Sequence, residues 1–361
     1  MQTLSNAELA PYTSLRLGGP AERLVIVSSY NETVDQLSKQ PDDQLWMLGY
    51  GSNVLISDKG LPGTTLMWHG GAIMTQGGHH LVVDAGVWWD DAVKTAIEHG
   101  LWGLELMSEI PSSVGGAIYG NIAAYGQQVS DTLEWVEVYN THDQRIETLT
   151  RDMIEFSYRA SSLQDEPWRV VLRACFKLSA DPIHEVRYDA ALAIAQEMKL
   201  DLSTLENRRT VIIETRRRAG SIYHPHDIDP DRTAGSFFKN PFVSIEQATQ
   251  LASFDETGKT LERILNQSKV HGGTPQRASA AHVLLAAGFH RGQQWGNVRL
   301  HPSHVLKLQA LEGATAQEVY TVVQLIIRTV NAKLAINLEP EVKFLGTFKD
   351  GLLIPEAAID L

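Results

Sequence analysis

The sequence predicts a globular protein of mixed α and β structure, and three observations predict it. Its 361 residues are enough for two or three domains. Hydrophobic residues make up 43% and charged residues 20%, an ordinary balance with ample apolar material for real cores. Short strand-like runs beside glycine clusters alternate with helical patterns along the chain.

The charge balance narrows the partners. Lys and Arg number 31 against 43 Asp and Glu, a net charge of −12, which makes a poor generic binder of nucleic acid or of an anionic membrane surface. No apolar run approaches the roughly 20 residues that span a bilayer. The opening Met1-Gln-Thr-Leu-Ser-Asn6 lacks a basic patch followed by an apolar core, so a cytoplasmic location is expected. The single cysteine, Cys175, cannot form an internal disulfide and reads as a buried structural thiol rather than a nucleophile. No metal site is expected.

Three regions differ in texture. The first, to about residue 68, holds the apolar strands Leu24-Val-Ile-Val27 and Leu45-Trp-Met-Leu48, each beside a glycine cluster. The second starts with Leu81-Val-Val-Asp84 and a helix near Asp90–His99, then runs through a long Gly-, Pro- and Ser-rich stretch from Gly100 to Asp131. Leu133–Tyr139 alternates in period two and turns through Asn140-Thr-His-Asp143 into Arg145–Leu149, a hairpin signal. Arg169–Leu178 alternates like a strand. The third region begins near Arg208; its clearest helix puts Val319, Val322, Val323, Ile326, Ile327 and Val330 on one face, opened by Thr315 and Glu318 at capping-box spacing. Val342-Lys-Phe-Leu345 returns to strand-like text.

Four segments could carry chemistry. In Leu48-Gly-Tyr-Gly-Ser-Asn53, two glycines after a strand let backbone N–H groups converge on an anion, with Ser52 and Asn53 adding donors; taken alone, the segment reads more readily as a tight turn. The segment has neither a P-loop ending nor a third Rossmann glycine. Ile110–Gly126 mixes small and apolar residues in a long irregular stretch, which suits either close backbone approach to a planar or phosphorylated ligand or a packed crossover. Thr233–Pro241 holds Ser236 between a glycine and two aromatics, with Lys239 and Asn240 nearby as donors, and it lacks the second glycine of a nucleophile elbow. Arg208, Arg209, Arg216, Arg217 and Arg218 form a basic cluster that suits anion recognition or a solvated helix face.

Together these segments resemble the UDP-N-acetylenolpyruvoylglucosamine reductase family. The resemblance runs in order through Ser14–Ala21, Gly49–Leu55, Gly103–Leu106, Ile110-Pro111, Val114–Ala117, Asn121, Ala124–Gly126, Tyr158-Arg159, Ala234–Pro241 and Leu338–Phe344. The serine block and the Glu-Pro-Glu block are its specific parts. It implies an α+β fold: a two-part FAD-binding module, shared with vanillyl-alcohol-oxidase-like flavoenzymes, plus a separate α/β substrate-binding domain. The implied boundaries are 1–68 (with a tail at 339–361) and 69–205 for the two FAD-binding subdomains, and 206–338 for the substrate domain.

The implied activity is the NADPH-dependent reduction of UDP-N-acetylglucosamine enolpyruvate to UDP-N-acetylmuramate in peptidoglycan precursor synthesis, with non-covalent FAD as cofactor, NADPH as co-substrate and the protein a monomer. Hydride passes from flavin N5 to the terminal enol carbon. Ser236 matches the serine that protonates the adjacent carbon, and Arg159 and Glu341 match the groups that stabilise the intermediate. For the cofactor, the resemblance points to Gly49, Tyr50, Gly51, Ser52, Asn53, Ser112, Ser113, Gly115, Gly116 and Asn121. For the substrate, it points to Tyr188 (the mobile-loop tyrosine of one subtype), Lys239, Asn240 and His304. Other flavin oxidoreductases on the same scaffold, or a non-enzymatic nucleotide-sugar binder, are the competing readings.

Two departures stand out. The family's Gly-Ile-Pro-Gly reads Glu109-Ile-Pro-Ser112 here, and a carboxylate beside a diphosphate would repel it unless turned outward. The family's Arg-x-x-Lys-x-Pro reads Arg216-Arg-Arg-Ala-Gly-Ser221, so the diphosphate lysine is missing at Ala219, and Arg217 or Arg218 is expected to replace it. An insertion, Tyr223-His-Pro-His-Asp-Ile-Asp-Pro-Asp231, follows and reads as a solvated loop.

Overall fold

A computed structural model describes residues 1–39, 44–223, 231–254 and 277–350. Most of the insertion lies outside the described residues. Contacts gather the chain into two units, the first made of Met1–Ala7, Ala21–Gly51 and Pro62–Asp227, the second of Glu8–Pro20, Ser52–Leu61 and Ile228–Leu361.

In the first unit, β1 (Gln2–Glu8), β2 (Pro20–Val27), β3 (Leu45–Leu48) and β5 (Leu61–Trp68) form a sheet in the order β1-β2-β5-β3, with β3 and β5 parallel. Helix α1 (Tyr30–Ser38) starts where the Ser29 hydroxyl accepts the Glu32 N–H. A second sheet holds β6 (Ile73–Gln76), β7 (His80–Asp84), β10 (Leu133–Asn140), β11 (Arg145–Thr150) and β14 (Arg169–Lys177), antiparallel in the order β11-β10-β14-β7-β6. The expected hairpin is β10–β11, and the Asn140 side chain closes its turn by accepting the His142 and Asp143 N–H groups. Cys175 is buried on β14, where burial and the neighbouring Glu134 push its thiol up to about 12.

The stretch from Gly100 to Asp131 is ordered rather than irregular. Following α2 (Trp89–Glu98), it holds a short helix α3 (Val114–Tyr119) and the tiny hairpin of β8 (Ala123–Ala124) with β9 (Gln127–Gln128); a second such hairpin, β12 (Phe156–Ser157) with β13 (Ala160–Ser161), follows β11. Its backbone is satisfied by buried side chains: Glu105 accepts the Gly103 N–H and Gln127 accepts the Leu106 N–H, both at 2.8 Å. Sequence periodicity carries no trace of such partners. Helices α4 (Asp189–Met198) and α5 (Leu205–Arg218) pack together through Ala191, Ile194, Ala195, Val211 and Ile212. α5, at the head of the third sequence region, thus lies in the first unit.

In the second unit, β4 (Val54–Ile56) pairs in parallel with β19 (Lys343–Leu345). Strands β15 (Thr233–Ser236), β16 (Gln294–Trp295), β17 (Val298–Leu300) and β18 (Lys307–Ala310) form an antiparallel sheet in the order β15-β18-β17-β16. Its apolar face packs with α6 (Ile245–Ala252), α7 (Ala280–Ala286) and α8 (Ala316–Leu334) into one core. The Thr315–Glu318 capping box forms reciprocally, and α8 ends on Ala335 in the left-handed region at φ 52°.

Candidate active site

In the first unit, the turn after β3 is held by aromatic packing. Tyr50 stacks on His69 with centroids 4.3 Å apart and meets Trp88 edge-on at 4.6 Å, while a His69 ring nitrogen lies 3.0 Å from the Gly49 carbonyl oxygen. Ser113 caps α3 by accepting the Gly116 N–H. A Cβ on Gly49 would stand 2.7 Å from that Ser113 oxygen, so only glycine lets the two turns approach this closely. The cradle of small residues at Gly49–Gly51 and Ser112–Gly116 fits a group that needs close backbone approach, as a flavin nucleotide does. Within the cradle, the Val114 and Gly115 N–H groups are spent on Val87 and Ala85 oxygens, so close packing rather than these donors is what it offers.

Asn121 is buried, and both ends of its amide are used inside the protein: Nδ2 donates to the Ser157 oxygen and Oδ1 accepts the Ser130 N–H. It thereby ties the end of α3 to the β12–β13 hairpin, whose turn carries Arg159. Arg159 is half-buried with φ 56°, donates from Nη1 to the Ala123 oxygen at 2.8 Å and lies over the Tyr158 ring at 5.8 Å.

The basic cluster divides by face of α5. Arg208 pairs with the buried Glu105 at 3.1 Å and stacks over Trp102. Arg209 grips the fully buried Asp90 with two bonds of 2.7 Å and reaches Glu109 at 3.3 Å. Burial pushes the Asp90 carboxyl up, but the Arg209 pair and the Glu109 N–H outweigh it, and the net shift is downward. The first two arginines are therefore internal structure rather than anion recognition. Glu109 is not turned outward: its carboxylate is drawn onto Arg209.

Arg217 and Arg218 project into solvent. Arg217 takes both oxygens of Glu214, and Arg218 takes Glu214 and, in two bonds of 2.8 Å, Glu197. Arg216 is different. Its Nε is buried without a hydrogen bond, its Nη2 donates to the Ser221 oxygen, and it adjoins Tyr125, whose ring meets Tyr188 edge-on at 5.1 Å. Burial lowers its pKa, with Tyr125 and Glu109 opposing. Tyr188 is exposed just before α4. Sequence reading holds Arg216 within the basic cluster and Tyr125 within the Ala124–Gly126 block, but it does not bring the two together; the signal for Arg216 is its place at the first position of the arginine run.

In the second unit, the two specific blocks are hydrogen-bonded to each other. The Glu341 N–H donates to the Phe237 oxygen at 2.8 Å and the Lys239 N–H to the Glu339 oxygen at 2.9 Å. Asn53 joins them, donating from Nδ2 to the Glu341 oxygen and accepting the Lys343 N–H. Ser52 accepts the Ser14 hydroxyl. Ser236 is exposed at the end of β15, following Gly235, whose φ of 73° bends the strand where its register with β18 shifts. Asn240 Oδ1 accepts the Ala280 N–H at the start of α7, and Lys239 Nζ lies 3.7 Å from Glu339. His304 sits in the β17–β18 turn, where burial and the charges of Lys307, Arg291 and His301 lower its pKa to about 4.

Fold and site together define a flavin-binding α+β protein: residues 22–150 match the FAD-binding-domain family and residues 227–345 match the UDP-N-acetylenolpyruvoylglucosamine reductase C-terminal domain. The reductase of that name from Streptomyces coelicolor is 33% identical over 94% of this chain and 90% of its own length, and that from Thermobifida fusca is 31% identical over 94% and 97%. The chain belongs to the UDP-N-acetylenolpyruvoylglucosamine reductase family. The crystal structure of the Thermus caldophilus reductase shares the fold, with a TM-score of 0.63 at 24% identity over 96% of this chain and 98% of that one.

Proposed function

We propose that this protein reduces UDP-N-acetylglucosamine enolpyruvate to UDP-N-acetylmuramate, acting as a cytoplasmic monomer in peptidoglycan precursor synthesis. The observation that carries the reading is the backbone pairing of the serine block with the Glu-Pro-Glu block, which sets Ser236 and Glu341 on adjoining segments. Bound FAD supplies the chemistry of hydride transfer, drawing on NADPH. The turns at Gly49–Gly51 and Ser112–Gly116 would hold it, with Ser52 and Asn53 continuing the first turn.

Hydride arrival at the terminal enol carbon leaves enolate charge beside the substrate carboxylate. Arg159 offsets that charge, and one such donor is typically worth roughly 3 kcal/mol. Glu341 acts by a hydrogen bond. Ser236 gives its hydroxyl proton to the neighbouring carbon, which a serine can do only toward a strongly basic carbanion in a site shielded from water. Lys239, Asn240, His304 and Tyr188 contact the nucleotide sugar in this reading. Arg216, with its guanidinium already drawn out of water beside Tyr125, takes the diphosphate role of the lysine absent at Ala219 in preference to Arg217 or Arg218, whose charges are met by Glu214 and Glu197. The test is NADPH oxidation by the FAD-loaded protein: it should depend on added UDP-N-acetylglucosamine enolpyruvate, and oxidation indifferent to that substrate would reject the reading.

A further inference from the structure

The turn after β3 carries two successive backbone donors with no acceptor in the protein. Among the described residues, neither the Tyr50 N–H nor the Gly51 N–H is taken by a backbone or side-chain oxygen, although Gly51 is buried. Buried backbone donors seldom go without a partner, so this pair calls for one from outside the chain. Gly51 takes a left-handed φ of 62° directly after Tyr50, whose φ is negative. Such a change of hand lets successive N–H groups converge on one anion. The direction of the first donor is set by His69. A carbonyl oxygen only accepts, so the His69 Nε2 that lies 3.0 Å from the Gly49 oxygen carries a proton and donates it. The Gly49–Tyr50 peptide is trans, so drawing its oxygen toward His69 points its N–H the opposite way. His69 is held in turn: its backbone N–H donates to the Val27 oxygen, and its ring lies on that of Tyr50, 3° from parallel. Tyr50 meets Trp88 edge-on, and the Trp88 backbone bridges to Ser113 in the second turn of the cradle. Three rings therefore join the two turns.

Resting on the reading of Gly49–Gly51 and Ser112–Gly116 as the flavin cradle, we propose that His69 is a positioning residue for the diphosphate of FAD, holding the Gly49 carbonyl so that the Tyr50 and Gly51 N–H groups face the anion. The diphosphate is the part of the cofactor that carries charge, and two converging amide dipoles suit it. Glycine gives the peptide after Gly49 unusual freedom to rotate. Without the His69 donor, that peptide can turn its oxygen toward the cofactor, which sets the negative end of a dipole where a positive one is needed. His69 and Trp88 lie outside every segment that carries the family resemblance; the trace of His69 in the sequence is a histidine one residue past an apolar strand.

The experiment follows FAD itself rather than turnover. His69→Phe keeps a flat ring against Tyr50 and removes the donor, whereas His69→Gln gives up the stack and keeps an N–H at about the reach of Nε2. When the apoproteins are titrated with FAD, His69→Phe should raise the Kd on the order of 10-fold, the usual worth of one well-placed hydrogen bond. His69→Gln should recover most of that loss. Phosphorus NMR of the bound cofactor should show the diphosphate signals displaced in His69→Phe, while the flavin absorption bands keep their wild-type positions. Hydrogen exchange over residues 48–53 reads the same contact: FAD should protect this segment in the wild type and protect it less in His69→Phe. Imidazole nitrogen NMR of the wild type needs no variant and should find His69 protonated on Nε2. A Kd and phosphorus signals unchanged in His69→Phe, a Gln variant as weak as the Phe variant, or a His69 ring protonated on Nδ1 alone overturns the inference. Wild-type protein that binds FAD yet leaves residues 48–53 unprotected overturns instead the reading of the cradle on which it rests.

Discussion

Deleting the Ser236 hydroxyl separates the two halves of the proposed reaction. Ser236→Ala should leave the reduction of flavin by NADPH intact while slowing reduction of the enolpyruvate substrate by about 10²- to 10⁴-fold, the usual worth of a positioned proton donor. Rapid mixing of each half-reaction measures this, and equal loss in both would reject the assignment. His304, besides its proposed contact with the nucleotide sugar, bears on stability. Its folded pKa, near 4, lies below the ordinary value of 6.5, so the unfolded chain binds the extra proton more readily. The contribution is complete above pH about 6.5, declines as pH falls toward about 4 and is gone below it. The partly solvated ring should supply a fraction of the roughly 1.4 kcal/mol per pH unit that one fully shifted proton allows. Urea unfolding of wild type and His304→Phe across this window should show a flatter pH dependence in the variant; parallel curves would contradict it.

Helix α5 shows how one element can carry opposite meanings on two faces. From sequence it is five arginines in eleven residues, and nothing in the spelling distinguishes those that reach Glu105, Asp90 and Glu109 from those that meet solvent. Those partners sit about a hundred positions earlier, Asp90 on α2 and Glu105 and Glu109 in the Gly-, Pro- and Ser-rich stretch after it, and local periodicity says nothing of pairing across such a distance. By contrast, the α8 capping box and the β10–β11 hairpin were legible, because their signals are local and their partners lie within a few residues. The contrast is measurable. Arg209→Ala takes from the fully buried Asp90 its two-bonded partner, leaving it only the partly exposed Lys94 at 3.3 Å and the Glu109 N–H, and should cost about 3 kcal/mol in chemical denaturation. Arg217→Ala removes a solvent-exposed pair and should leave the midpoint unchanged within error. A mild Arg209→Ala phenotype would mean that water reaches the pair and relieves it.

At the scale of the whole chain, the specific motifs told more than the layout did. The serine and Glu-Pro-Glu blocks, the specific parts of the resemblance, are paired through their backbones, whereas the recruitment of Glu8–Pro20 and Ser52–Leu61 into the second unit has no local spelling: short turns and a three-residue strand carry no mark of the sheet they will join. That layout offers a way to watch the cofactor. Seven of the eight tryptophans (46, 68, 88, 89, 102, 135 and 168) lie in the first unit, and Trp295 alone lies in the second. In a Trp295→Phe variant, tryptophan emission therefore reports the unit that carries Gly49–Gly51 and Ser112–Gly116. A covalent flavin link through cysteine is disfavoured, because the Cys175 thiol is buried and pushed up to about 12, far from the thiolate such a bond requires. Acid precipitation should release the flavin entirely. A ligand held only by non-covalent contacts stabilises the folded state by mass action, about 2.7 kcal/mol at a hundredfold excess over Kd. Stripping FAD should accordingly lower the emission-detected melting temperature by several degrees, and added FAD should restore it in proportion to the logarithm of its concentration. Flavin that stays with the acid precipitate, or a melt indifferent to added FAD, would place this chain with a different branch of flavoenzyme chemistry.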